Sequence, residues 1–127
     1  MKTLTPVLLV DEIEPCLAFW TDRLGFQKVS EVPHGDRLGF VILVRDGVQI
    51  MYETRALMAE DLPELASGAT PGSTILYIDV SNIEQTVEAL DGVDVVVPLR
   101  QTNYGRAEIY VREPAGNVVA FTAEVGY

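Results

Sequence analysis

Basic residues are scarce in this chain. Nine Lys and Arg stand against nineteen Asp and Glu, a formal net charge of −10. A surface this acidic repels a phosphate backbone and anionic lipid alike, so nucleic acid and membrane are excluded as partners. Cysteine is scarcer still. Cys16 stands alone, which rules out an internal disulfide and a cysteine metal cluster. There is one histidine, His34, and one tryptophan, Trp20. No apolar run approaches the roughly 18 residues of a membrane span. Met1 to Pro6 lacks an apolar secretory core behind a basic start. A cytoplasmic protein with a reduced thiol is therefore expected. The chain also lacks a phosphate loop, a dinucleotide glycine fingerprint and a zinc-protease helix signature. What it has is 127 residues with 48% hydrophobic and 22% charged side chains, an ordinary globular composition of one-domain length.

Hydrophobic spacing divides the chain into elements. Leu4–Val10 is a short apolar strand, with Pro6 favouring its start or a sheet edge. Acids at Asp11, Glu12 and Glu14 suit a helix start, and Leu17, Trp20 and Leu24 recur at helical spacing, so Pro15–Leu24 reads as a helix stopped by Gly25. Phe26–Val32 is a strand, Pro33–Asp36 a turn, and Gly39–Arg45 and Val48–Thr54 form a hairpin about Asp46-Gly47. Arg55–Gly72 reads as a linker carrying a short amphipathic helix or turn. Thr74–Val80 is again a strand. Ser81-Asn82 before Glu84-Gln85 is a helix-capping pattern, and Ile83, Val87 and Leu90 make one helical face ended by Gly92. Val93–Val97 is a strand stopped by Pro98, and Arg106–Arg112 and Val118–Glu124 are two more about the turn Glu113–Asn117.

The order β-α-β-β-β thus occurs twice. Val10 and Val80, and Ile13-Glu14 and Ile83-Glu84, keep one constant offset, the mark of an internal repeat. The expected architecture is α+β, with a first module over residues 1–54, a linker over 55–72 and a second module over 73–127, together one structural domain.

Paired βαβββ modules resemble the vicinal oxygen chelate superfamily, which includes glyoxalase I, extradiol dioxygenases and bleomycin-resistance proteins. The stretch Phe19-Trp20-Thr21-Asp22-Arg23-Leu24-Gly25-Phe26 is similar to that family's FYxxxLGF. Glu113-Pro114-Ala115-Gly116-Asn117 is similar to its DPxGN turn, and Tyr104-Gly105-Arg106 looks like the stretch before that turn in bleomycin-resistance proteins. Trp20 for Tyr and Glu113 for Asp are mild departures. The resemblance covers about Leu4 to Glu124. It implies an open, cup-shaped mixed sheet with helices outside, and a homodimer.

Metal-using members of that superfamily carry a ligand on the first and last strand of each module. Counted from the motifs, those positions fall here at Thr5, Met51, Ile75 and Ala120. A hydroxyl, a thioether and two hydrocarbon side chains are poor donors for a catalytic divalent ion. No metal and no cofactor are therefore expected. The inward positions instead offer a ligand-binding lining: Phe40, Met51, Glu53, Ile75, Tyr77, Tyr104 and Ala120. Tyr77 and Tyr104 supply flat surface, Met51 soft surface, and Glu53 a counter-charge. Asp79, Thr122 and Glu124 share faces with these by strand alternation. Cys16, Phe19 and Trp20 read as helix packing, His34 as a solvated turn residue and Arg106 as a surface ion pair.

With the metal positions so filled, the resemblance to bleomycin-resistance proteins implies the expected function: a metal-free protein of the glyoxalase and bleomycin-resistance type that sequesters an aromatic, in some cases cationic, small molecule in a cup or dimer groove. The resemblance also implies an alternative, a metal-dependent enzyme of the glyoxalase or dioxygenase kind with displaced ligands such as Glu53 and His34.

Overall fold

The computed structural model describes residues 2–66 and 74–125. They fall in two compact units, Met1–Thr70 and Pro71–Tyr127. The first unit runs β1 (Val7–Val10), α1 (Glu14–Leu17), β2 (Gln27–His34), β3 (Arg37–Arg45), β4 (Val48–Thr54) and α2 (Arg55–Asp61). Its four strands order as β1-β4-β3-β2, with β1 parallel to β4 and the other pairs antiparallel. The second unit runs β5 (Ile75–Asp79), α3 (Ile83–Ala89), β6 (Asp94–Gln101), β7 (Arg106–Arg112) and β8 (Val118–Glu124), ordered β5-β8-β7-β6 with β5 parallel to β8. The doubled βαβββ plan expected from the sequence is the plan of the molecule. Among the described residues, no helix is long and apolar enough to cross a membrane.

The helix expected over Pro15–Leu24 is present but not uniform. Only Glu14–Leu17 is α-helical, and Ala18–Arg23 winds as a π-helix. The Thr21 hydroxyl donates to the Leu17 carbonyl at 2.7 Å, competing with the backbone for that acceptor. Gly25, at φ +70°, then reverses the chain into β2. The wider winding leaves Trp20 fully buried, edge-on to Phe19 and Phe26 with both ring centroids 5.0 Å away. Its indole N–H donates to the buried Tyr52 hydroxyl at 2.8 Å. Tyr52 therefore faces the helix, together with Ile50 and Thr54. Alternation along β4 sends Met51 and Glu53 to the opposite face, where they are half-buried.

Two turns depart from expectation. His34 is not in the turn after β2; it pairs with Arg37, leaving Gly35-Asp36 as a two-residue connection. Pro98 does not stop β6, which continues to Gln101. It is accommodated on an outer strand, where the register with β7 shifts between Val97 and Arg100. The helix expected in the linker is α2, capped by the Thr54 hydroxyl accepting from the Leu57 N–H at 3.2 Å. It is followed by a 3₁₀ turn at Pro63–Leu65. The rest of that stretch, from residue 67, lies outside the described residues.

Gly39 in β3 shows how closely α2 seats. A Cβ there would come within 2.8 Å of both His34 Cβ and Leu57 Cδ2. Gly39→Ala is expected to destabilise the chain by about 1–3 kcal/mol through overpacking, read as a lower midpoint in urea unfolding at unchanged slope.

Candidate functional site

Each sheet has one face packed against a helix and one left open. On the open face of the first sheet, register aligns Leu9, Glu53 and Phe40 in one row and Val7, Met51 and Ile42 in the next. Glu53 is the one ionisable group in these two rows. Its carboxyl titrates above the ordinary glutamate range, first because burial penalises its charge and then because Asp61 repels it. Of the sequence candidates, this face gathers Phe40, Met51 and Glu53.

The open face of the second sheet is built differently. Tyr77 of β5, Ala120 of β8 and Tyr110 of β7 lie in one register row, and Asp79, Thr122 and Glu108 in the next. Glu108 is fully buried although its strand position is on the open side. Tyr77, Arg100, Tyr104 and Tyr110 converge on its carboxylate. Oε1 accepts from Arg100 Nη2 at 3.0 Å, from the Tyr104 hydroxyl at 3.1 Å and from Tyr110 at 3.4 Å. Oε2 accepts from the hydroxyls of Tyr77 and of Tyr104, the latter also at 3.1 Å. Beside this hub, Arg106 Nε donates to the buried Thr122 hydroxyl at 2.9 Å and Nη2 pairs with Asp79 at 2.6 Å.

Burial by itself would push the Glu108 carboxyl upward. The donors from Tyr77, Tyr104 and Arg100 outweigh it, and the group titrates below its ordinary value. The Tyr104 phenol moves the other way, raised by desolvation and by the carboxylate it serves. Arg100 is raised by Glu108 and Arg106 by Asp79. At neutral pH the hub is an ionised carboxylate with its charge matched by Arg100.

The sequence candidates on this face differ in availability. Ile75, Tyr77 and Tyr104 are exposed, Tyr77 at 52% and Tyr104 at 60%, whereas Ala120 is buried between Tyr77 and Tyr110. Glu108 and Arg100 were not among the expected lining residues. Alternation was the available signal: Glu108 is a charged residue between Ala107 and Ile109, in step with Arg106 and Tyr110. Arg106 does form the expected surface pair, and Trp20 and Cys16 are buried in the first unit.

The four positions at which metal-using relatives carry ligands are poor in donors. Met51 stands in register with Val7, and Ile75 with Val118; Ala120 has no donor atom in its side chain. Thr5 adds one hydroxyl. This set does not fit a divalent ion. His34 Nε2 is engaged with Glu60 at 2.9 Å, and among the described residues no three of His, Cys, Asp and Glu gather as a metal cage.

Comparison with known proteins adds the family. The model of the Glyoxalase/Bleomycin resistance protein/Dioxygenase superfamily matches residues 3–121. No curated protein matches the chain. Among solved structures, a glyoxalase/bleomycin resistance protein/dioxygenase family enzyme from Burkholderia phytofirmans superposes with a TM-score of 0.78 at 16% identity, over 95% of this chain and 97% of that one. A lactoylglutathione lyase from Agrobacterium tumefaciens gives 0.74 at 18% identity, over 97% and 94%. A glyoxalase/bleomycin resistance protein/dioxygenase from Nocardioides gives 0.73 at 21% identity, over 98% and 85%. At these identities the likeness is one of fold.

Proposed function

Since this chain belongs to the glyoxalase/bleomycin resistance protein/dioxygenase superfamily, we propose that it binds and sequesters an aromatic small molecule without metal and without covalent change. The observation that carries the reading is that Tyr77 and Tyr104, both exposed, are brought side by side by hydrogen bonds to one carboxylate oxygen. Exposed rings gathered in one patch, rather than scattered singly, mark a binding surface. Ile75 extends the same face with hydrocarbon. The first unit has a face of its own, on which Phe40 and Met51 offer apolar surface and Glu53 a carboxylate to a cationic ligand. Catalysis of the metal-using kind has no donor set here, and binding is the activity that remains. The reading includes a homodimer in the cytoplasm, of the bleomycin-resistance type.

Calorimetric titration tests it with two cationic probes, bleomycin, a glycopeptide with a planar aromatic tail, and ethidium, which is planar. At least one is expected to bind with a dissociation constant near or below the micromolar range, about −8 kcal/mol, and binding is expected to survive chelator. Tyr77→Ala should weaken it by roughly tenfold or more, the contribution of one stacked ring. No heat with either probe would remove the aromatic-ligand reading. Stoichiometric transition metal in protein purified without chelator would overturn the metal-free one.

A further inference from the structure

Glu108 is an unusual residue for its position. Open-face sites on a strand are filled by apolar or solvated side chains, yet here a carboxylate is fully buried under a roof of rings. We infer that Glu108 is a positioning residue, a carboxylate that ties the hydroxyls of Tyr77 and Tyr104 inward so that their ring faces are presented outward to a planar ligand. The inference rests on the aromatic-ligand reading and adds to it the device that shapes the surface and the chemistry it selects.

Three features support it. First, the carboxylate is saturated. A carboxylate offers about four lone-pair directions, and four donors meet them: Arg100, Tyr77, Tyr110 and Tyr104, whose one proton is shared between the two oxygens. Glu108 therefore does not itself receive a ligand cation. Second, the donors come from separate places in the fold: Tyr77 from β5, Arg100 from β6, Tyr104 from the turn after it and Tyr110 from β7. One buried anion gathers side chains from both outer strands of the sheet. Tyr77 has to reach across β8 to meet Glu108 on β7, and the residue beside it on β8 is Ala120, whose methyl leaves room for the phenol. Third, the hydroxyls are committed. Tyr77 and Tyr104 are nonetheless more than half exposed as residues, and with the hydroxyls held the ring is the side-chain surface left to offer a ligand.

The selected chemistry follows. With its phenol O–H groups engaged, the platform does not read carbonyls or phosphates through them. It reads π-surface, and a delocalised planar cation gains further from the ring quadrupole. Arg100 does not oppose this, because Glu108 matches its charge. Rings already fixed before binding also lose less rotamer freedom on binding.

Ethidium binding and a phenol titration test the inference together. Tyr104→Phe keeps the ring and removes its tie. It is expected to weaken ethidium at least about tenfold, as Glu108→Gln is. If Tyr104→Phe binds like the wild type while Tyr104→Ala does not, free stacking suffices and the positioning role is overturned. The second readout needs no ligand. Followed by absorbance at high pH, Tyr104 should titrate above the ordinary phenol range in the wild-type chain and fall back in Glu108→Gln; an unchanged curve removes the hub. Failure of ethidium to bind the wild-type chain removes the ligand-facing role, whatever the titration shows; the aromatic-ligand reading falls only when bleomycin fails to bind as well. Tyr104→Phe carries the test if Glu108→Gln does not fold, since Tyr104 lies exposed on a turn.

Discussion

Trp20→Ala will destabilise the first unit by about 3–5 kcal/mol, as truncation of a fully buried aromatic does. Three losses act together. The cavity opens between Phe19 and Phe26, whose rings then lose their edge contacts. The apolar area of the indole is no longer removed from water. The buried Tyr52 hydroxyl loses the indole N–H that bonds to it. A loss of this size is comparable to the whole stability margin of a small domain, so the variant is expected to be substantially unfolded at 37 °C. Urea unfolding followed by far-UV circular dichroism reads the effect. Trp20→Phe separates the terms: it keeps most of the ring volume and loses the hydrogen bond, and should cost about 1–3 kcal/mol. Equal losses in the two variants would show that the cavity contributes nothing and that the packing account is wrong.

Acid should loosen the second unit through Glu108. Its native carboxyl titrates below the ordinary glutamate value of 4.5. A group depressed in this way contributes its stability in full above the unfolded pKa and loses it as pH falls through the folded one. Stability should therefore fall steeply below about pH 4.5, with the phenols of Tyr77, Tyr104 and Tyr110 freed together. Glu14 adds a slope of the same sign in the first unit, because its carboxylate accepts the Leu38 N–H at 2.8 Å. Glu53 has the opposite sign. Its carboxyl is raised, so its penalty is present at neutral pH and is relieved on acidification. Trp20 emission reads the first unit, because Trp20 is the only tryptophan and lies there; tyrosine near-UV circular dichroism reads the second through the part of its acid change that Trp20 emission does not share, since Tyr52 of the first unit also contributes to it. Glu108→Gln should flatten the acid slope of the tyrosine signal and leave that of Trp20 unchanged. A wild-type slope in the variant would mean that the hub does not govern acid sensitivity.

Much of this architecture was legible in the residues because period and punctuation agreed. Asp46-Gly47 forced its hairpin, with both residues at positive φ. Asn82 capped its helix, and Gly25 ended the one before it. Pro98 misled because a missing N–H ends a strand only where a neighbour needs that donor, and sequence does not say which strands lie outermost. The π-winding of Ala18–Arg23 was hidden because a helical face looks alike at either pitch over six residues. The candidate site was half legible. Alternation placed Tyr77 and Met51 on their open faces, but ranking residues singly passed over Glu108. Its meaning lies in four donors, of which Tyr104 and Tyr110 are close in sequence but Tyr77, from β5, reaches it only once the sheet has formed.

The outermost strands β2 and β6 each contain a proline, Pro33 and Pro98, and each loses register with its neighbour at that point. Both also leave valines in the open, Val29 and Val32 in one and Val95 and Val96 in the other. A straight border of that composition would invite a stray polypeptide to zip onto it. The imino ring and the dislocation beside it interrupt the row of donors, near the end of β2 and towards the middle of β6, so a would-be recruit finds no continuous ladder to climb. Twice in this short molecule, the residue that spoils a strand keeps its sheet from growing.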